Sequence, residues 1–176
     1  MAFLLRALTA ADAPRITDLN NAAVPAVPEM TEHDLDALRD MADVALAVID
    51  EQQPDRVLGF VLAMHPGSPY ESENYRWFER RGGDGLYVDR IVVDAALRGR
   101  GLGQVLYARV FAAAEHEGRA EVTCEVNVDP PNPGSLAFHA RLGFAEVGRQ
   151  STKGGSVVVA LLAAPVPRVP QILPGD

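Results

Sequence analysis

Short apolar runs alternate with amphipathic stretches along most of this chain. The apolar, β-rich runs predict strands over residues 3–8, 44–49, 57–64, 86–93, 120–128, 144–149 and 157–162. Apolar residues at helical spacing predict helices over residues 10–22, 31–41, 101–117 and 134–142. No internal repeat or second domain is visible. The pattern therefore predicts a single domain over residues 1–164, followed by a Pro-rich tail over residues 165–176.

Composition narrows the class of protein further. With 176 residues, of which 48% are hydrophobic, the chain can bury one sizeable core. No apolar stretch approaches the roughly 18 to 20 residues that span a bilayer, so we expect a cytoplasmic protein that binds no membrane. The net charge of −8 disfavours nucleic acid and suits a cationic substrate, although acidic surfaces also serve solubility alone. Cys124 is the only cysteine, which excludes an internal disulfide. The sequence has no cluster of Cys and His at metal-ligand spacing, so we expect no metal site.

A glycine-rich turn, Arg98-Gly99-Arg100-Gly101-Leu102-Gly103, joins the predicted strand 86–93 to the predicted helix 101–117. Backbone amides at a helix start lack intrahelical partners and carry a partial positive charge, so they can bind an anion. The glycines allow close approach, and the two arginines add donors. The turn therefore predicts a phosphate site, the alternative being a sharp strand-to-helix connection.

Other nucleotide-binding motifs fit this turn less well. A P-loop requires Lys and then Ser or Thr after its last glycine, where this chain has Gln104 and Val105. The dinucleotide fingerprint requires two residues between its second and third glycines, whereas this turn has one. A nucleotide-binding domain thus remains only as an alternative.

The segment Val93 to Gly103 resembles the acyl-CoA motif Q/R-x-x-G-x-G/A of the GNAT superfamily of N-acetyltransferases. Asn132, with the run Ser135 to Phe144, resembles that family's second signature, an Asn followed by a helix that ends in Gly-Phe. The resemblance implies an α/β (α+β) fold with a mixed, twisted sheet of six or seven strands, flanked by helices and splayed between its fourth and fifth strands. It also implies acetyl-CoA, or another short acyl-CoA, as the cofactor.

The resemblance further implies the activity and the cofactor-binding residues. We expect transfer of an acetyl group to a primary amine of a small molecule or peptide, with homodimerisation frequent in the family. The alternative is a sensor of this fold that binds acyl-CoA without turnover. The expected cofactor-binding residues are Ile91, Val92, Val93, Arg98, Gly99, Arg100, Gly101, Leu102, Gly103, Asn132, Ser135 and Phe138.

The expected proton donor departs from the family pattern. The family commonly places a tyrosine four residues before the glycine of Gly-Phe, and this chain has His139 there. A positively charged imidazole could protonate the leaving thiolate near neutral pH. The alternative for His139 is a helix residue hydrogen-bonded at the sheet surface. In that case Tyr87 and Tyr107 are the next candidates for the proton donor.

Strand parity supplies candidates for the proton acceptor. Alternation predicts Tyr87, Asp89 and Ile91 on one face of the fourth strand, with Glu125 and Asn127 sharing a face of the fifth. Because a lone buried carboxylate is costly, Glu125 is the first candidate for amine binding or proton relay, and Asp89 the second. Their alternative is an ion pair with neighbours such as Arg90. Cys124 has the opposite parity to Glu125 and is expected to be an inert core thiol.

Residues 66–85 mix Pro, Gly and Ser with aromatic side chains and predict an ordered loop or short helix. We expect Tyr75 and Trp77 in this segment to form part of the acceptor-binding wall, together with Asn127. The alternative is a hydrophobic flap that covers an edge of the core.

Overall fold

A computed structural model describes residues 2–167 of the chain. Its seven strands are Phe3–Ala7 (β1), Val44–Asp50 (β2), Gln53–Met64 (β3), Gly85–Val93 (β4), Glu121–Asp129 (β5), Ala145–Thr152 (β6) and Val157–Pro165 (β7). Its α-helices are Ala13–Ala22 (α1), Glu32–Met41 (α2), Glu73–Arg81 (α3), Leu102–His116 (α4) and Pro133–Arg141 (α5). Short 3-10 turns occupy Ala10–Asp12, Ala95–Leu97 and Lys153–Gly155.

The strands form one mixed sheet in the order β1-β2-β3-β4-β5-β7-β6. All neighbouring strands are antiparallel except β4 and β5, which run parallel. These two pair only from Gly85 with Glu121 to Tyr87 with Thr123. Beyond this short ladder they diverge, so the expected mixed sheet with a splay between its fourth and fifth strands is confirmed.

The sheet is covered on both faces, as the eight consecutive buried residues at the end of β3 require. On one face, here called the α4 face, α4 and α5 cover side chains such as Leu86, Val88 and Val122. On the other, here called the α1 face, α1, α2 and α3 cover side chains such as Phe60 and Tyr87. The splay is therefore a gap between two apolar layers.

Local signals account for most element boundaries. Thr31 caps α2, because its Oγ1 accepts a hydrogen bond from Asp34 N–H at 3.1 Å while Asp34 Oδ2 accepts from Thr31 N–H at 2.9 Å. The predicted turn between the second and third strands is shorter than expected, since β3 already begins at Gln53. Within residues 66–85 the chain forms α3, which was predicted as a loop or short helix.

The end of the last strand lies slightly beyond the expected domain boundary. β7 includes Pro165, and Val166 is buried with its N–H bonded to Ala120 O at 3.0 Å. The rest of the expected tail, from residue 168, lies outside the described residues. No helix within residues 2–167 is both long and apolar enough to cross a membrane.

Candidate active site

A cavity of about 750 Å³ lies where β4 and β5 diverge. On the α4 face it is lined by the glycine turn and by side chains of α4 and α5, and on the α1 face by polar groups of β4, β5 and α3. The cavity thus passes through the sheet from one face to the other. Of the expected site residues, it is lined by Asp89, Ile91, Val92, Val93, Arg98, Gly99, Gly101, Leu102, Gly103, Glu125, Asn127, Asn132, Ser135, Phe138 and His139.

The glycine turn presents unpaired backbone donors to this cavity. Gly101, with φ 81°, precedes α4, and a side chain at that φ would be strained. The first bond of the helix runs from Val105 N–H to Gly101 O at 3.1 Å. The N–H groups of Leu102 and Gly103 therefore have no partner within the helix and are available to an anion.

Gly103 has a packing role in the same turn. A Cβ atom there would lie 2.9 Å from Cζ of Phe138, so glycine lets α5 approach α4 at the edge of the cavity. Arg98 lines the cavity, whereas Arg100 is exposed and is not among the lining residues. Arg100 is therefore the one expected cofactor-binding residue that does not line the cavity.

The second signature positions the start of α5 at the cavity. Asn132 precedes the helix, and its Oδ1 accepts a hydrogen bond from Ser135 N–H at 3.3 Å. Asn132 thus acts as a helix cap. Both residues line the cavity, as does Phe138 one turn further along the helix.

A β-bulge at Asp89 changes the predicted parity of β4. Arg90 pairs with Leu62 and Val88 with Ala63, which leaves Asp89 as the extra residue. The expectation that Ile91 shares a face with Tyr87 and Asp89 is therefore wrong. Ile91 packs on the α4 face, whereas Tyr87 packs on the α1 face. The apolar pattern of a strand gives no sign of a bulge. Beyond the bulge, each side chain points to the opposite face from the one that simple alternation predicts.

Asp89 is held in a buried ion pair with Arg90, the alternative considered from the sequence. Arg90 Nε lies 2.7 Å from Asp89 Oδ2, and the hydroxyl of Tyr70 donates to Asp89 Oδ1 at 2.6 Å. Arg90 also donates to Asn20 Oδ1 at 3.0 Å. Both oxygens of Asp89 are therefore occupied, and breaking such a pair leaves a buried charge uncompensated. This geometry favours a supporting role over proton transfer.

Glu125 faces the cavity from β5 with a perturbed carboxyl group. Burial, and next the charge of nearby Asp89, raise the pKa of Glu125 to about 8. The hydroxyl of Tyr87 donates to Glu125 Oε2 at 2.8 Å. Two residues further along the strand, Asn127 donates through Nδ2 to Pro25 O at 2.8 Å, which ties the segment between α1 and α2 to the cavity.

His139 is buried, and both of its ring nitrogens are occupied. Nδ1 lies 2.8 Å from Ser135 O, a carbonyl that can only accept, so Nδ1 carries the proton. Nε2 then accepts from the hydroxyl of Tyr107 at 2.7 Å. Burial lowers the pKa of His139, so the imidazole is neutral near neutral pH. The expected charged imidazole does not fit this arrangement.

Tyr107 supplies the hydroxyl that the second signature lacks. It is buried on α4, lines the cavity, and has its pKa raised well above the ordinary value by burial. From the sequence, Tyr87 and Tyr107 are the next candidates for the donor if His139 does not serve, although Tyr107 occupies an apolar helix position. The adjacent Cys124 is buried and its pKa is raised by burial, which agrees with an inert core thiol.

Tyr75 and Trp77, which were expected in the acceptor-binding wall, do not line the cavity. The hydroxyl of buried Tyr75 donates to His65 O at 2.7 Å, and the indole of Trp77 packs against Gly148 of β6. Helical geometry explains the difference, because α3 turns these aromatic side chains toward the core and β6. The same helix contributes Asn74 to the cavity instead.

The chain belongs to the family described as Acetyltransferase (GNAT) family, which matches residues 13–144. N-alpha-acetyltransferase MAK3 of Arabidopsis thaliana is 38% identical over 89 residues, which make up 49% of this chain and 46% of that protein. The chain thus spans less than half the length of this curated relative.

Two solved structures resemble the whole domain. Ard1 from Thermoplasma volcanium gives a TM-score of 0.76 at 15% identity, with 96% of this chain and 100% of that chain covered. The Salmonella typhimurium acetyltransferase yncA, solved with its cofactor acetyl-CoA, gives 0.68 at 17% identity, with 98% and 100% covered. At these identities the similarity shows a shared fold.

Proposed function

We propose that this protein is an N-acetyltransferase that uses acetyl-CoA to acetylate a primary amine of a small molecule or peptide. The observation that carries the proposal is the cavity through the splayed sheet. It joins the unpaired amides of the glycine turn on the α4 face to the carboxyl group of Glu125 on the α1 face. Family membership supports the same activity.

The residues of the α4 face fit the cofactor. The N–H groups of Leu102 and Gly103 would hold the pyrophosphate, with Arg98 as an additional donor. When bound, acetyl-CoA would supply an acetyl group activated as a thioester. The sheet edge from Ile91 to Val93 lines the cavity between the two faces and is free of β5, because β4 and β5 pair only as far as Tyr87.

The residues of the α1 face fit a proton acceptor and an amine site. Above its pKa of about 8, Glu125 is ionised and can take a proton from an ammonium group through Oε1 or Oε2. Tyr87 holds the carboxyl group in place by its hydrogen bond to Oε2. Glu125 therefore remains our first candidate for the base.

Tyr107 is our candidate for the proton donor, in place of His139. Its hydroxyl stays protonated because burial raises its pKa, and at rest its single proton points to His139 Nε2. To protonate the leaving sulfur, the hydroxyl would turn from Nε2 toward the cofactor and give up this proton as the C–S bond breaks, and solvent would then restore the proton to the phenolate. His139 then acts as a positioning residue.

The proposal is tested by release of free thiol from acetyl-CoA with a panel of primary amines. Thermal unfolding is recorded in parallel, because a ligand that binds the native state raises its stability. We expect stabilisation by acetyl-CoA and thiol release that depends on an amine. Stabilisation without thiol release for any amine would favour the non-catalytic sensor, and stabilisation by ATP or NAD alone would favour a nucleotide-binding domain.

A further inference from the structure

Lys153 is the only lysine in the chain, and it lines the cavity from the turn between β6 and β7. Within residues 2–167 it is also the only non-glycine residue with positive φ, at 52°. That conformation is costly for a residue with a Cβ atom and persists only where surrounding structure imposes it. The turn therefore holds an exposed cation at the cavity in a strained backbone conformation.

Contacts around Lys153 fix the turn rather than the ammonium group. Its backbone N–H donates to Glu73 Oε2 at 3.1 Å, which ties the turn to the start of α3. Gly154 and Gly155 follow with positive φ of their own. No hydrogen bond or ion pair within residues 2–167 involves Nζ of Lys153 in this arrangement. The ammonium group remains available to a ligand.

The position of Lys153 separates it from the cofactor end of the cavity. Val157 and Val159, which follow the turn on β7, pack on the α1 face, whereas the glycine turn lies at the start of α4 on the opposite face. Lys153 therefore lies on the same side of the sheet as Glu125. A ligand in this half of the cavity meets a carboxyl group at β5 and an ammonium group at the β6–β7 turn.

We propose that Lys153 binds an anionic group of the acceptor, so that the preferred acceptor carries a carboxylate or phosphate besides its primary amine. The inference rests on the proposed function, since it assumes that the amine is placed near Glu125. A carboxyl group at one point of the α1 face and an ammonium group at another would orient such an acceptor with its amine toward the splay. Lys153 is then a specificity-determining residue.

The test compares matched pairs of amines that differ only in the anionic group. The pairs are β-alanine with β-alanine amide, the dipeptide amides Ala-Asp and Ala-Asn, and 2-aminoethyl phosphate with 2-aminoethanol. Affinity for each is measured by calorimetry on protein saturated with CoA, so that the readout does not depend on turnover. The three pairs distinguish a small carboxylate, a peptide carboxylate and a phosphate as the source of the anion.

We expect at least one anionic member to bind about tenfold more tightly than its neutral partner. Lys153→Gln should abolish that preference, whereas Lys153→Arg should retain most of it. Arg80→Gln removes the same charge from the exposed surface of α3, away from the cavity, and should leave the preference unchanged.

Two outcomes overturn the inference: no anionic member binds better than its neutral partner, or Lys153→Gln keeps the preference of the wild type. Failure of the proposed function looks different. A preference that disappears in Lys153→Gln, in a protein that releases no thiol with any amine, would keep the anion subsite and reject the acetyltransferase activity.

Discussion

The hydroxyl of Tyr107 on α4 donates a 2.7 Å hydrogen bond to Nε2 of His139 on α5, and both side chains line the cavity. The second signature resembles its family except that His139 replaces the usual tyrosine. The phenol is present nonetheless, because α4 supplies it from the neighbouring position. The histidine and the tyrosine are therefore best understood as one pair.

We predict that Tyr107→Phe lowers kcat by about 10²- to 10⁴-fold, the usual cost of losing a positioned proton donor. Acetyl-CoA affinity should change little, because the glycine turn is untouched. The variant leaves Nε2 of His139 without its donor and should lose about 1–3 kcal/mol of stability, so kinetics are measured well below its unfolding temperature. A kcat within about twofold of the wild type would reject Tyr107 as the donor.

The second prediction concerns the pH dependence of kcat/KM, which reports the pKa values of the free enzyme. Because the pKa of Glu125 is raised to about 8, its basic form is scarce at pH 6 and dominant at pH 9. We expect kcat/KM to rise with pH around pH 8, and Glu125→Gln to remove that limb while lowering the plateau. No falling limb from His139 is expected above pH 7, because burial lowers its pKa and the ring is already neutral.

The acceptor amine also titrates, so the profile requires a control. Two acceptors of different basicity are compared, and a limb that belongs to Glu125 stays at the same pH for both. A limb that moves with the basicity of the amine, and persists in Glu125→Gln, would show that the free amine rather than Glu125 sets the pH dependence.

Local sequence was sufficient to predict the glycine turn before α4 and the cap at the start of α5. Gly101 is required by its positive φ at the start of α4, and Asn132 caps a helix three residues ahead of its partner Ser135. Such features depend on neighbours in the chain. The mixed sheet and its splay followed instead from the family resemblance, once the two signatures were recognised.

The α1-face half of the cavity could not be predicted in the same way, because it depends on contacts between distant elements. The bulge at Asp89 is set by pairing with β3, and the role of Tyr107 depends on the approach of α5. Trp77 was expected in the cavity, whereas its ring packs against β6. In the sequence nothing distinguishes Lys153 from any other exposed charge, because its positive φ and its place at the cavity depend on the fold.

The third prediction tests the phosphate turn with a matched pair of glycines. Gly101→Glu places a side chain and a negative charge beside the unpaired amides and should abolish acetyl-CoA binding. Gly118 ends the same helix with a similar positive φ of 72° and has no atom within 4 Å of an added Cβ. Gly118→Glu therefore carries the same backbone strain without approaching the cavity.

Acetyl-CoA affinity is measured by calorimetry on both folded variants. We expect loss of binding in Gly101→Glu alone, with comparable unfolding temperatures for the pair. Equal affinities in the two variants would show that the turn does not hold the cofactor.

The fourth prediction assigns Trp77 to stability. Its indole packs against Gly148 and lies edge-on to Phe78, with ring centroids 5.2 Å apart. Since Trp77 is only partly buried, Trp77→Ala should cost about 2–3 kcal/mol, less than the loss of a fully buried ring. Denaturant unfolding measures this cost, and KM and kcat for the acceptor should stay near wild type. A raised KM for the acceptor at unchanged stability would show that Trp77 contributes to acceptor binding and not to stability.

The last prediction concerns the strain at Lys153. A residue with a Cβ atom at φ 52° pays a conformational cost that glycine avoids, whereas glycine loses more chain entropy on folding. The first effect exceeds the second where φ is positive, so Lys153→Gly should raise the free energy of unfolding by up to about 1 kcal/mol. Lys153→Ala removes the same ammonium group but keeps the strain, and should show no such gain. If urea unfolding gives both variants the same stability, the turn is not strained and the backbone conformation carries no argument for function. If only the glycine variant is stabilised, and both lose the preference for anionic acceptors, the chain retains a less stable turn because that turn places the cation at the cavity.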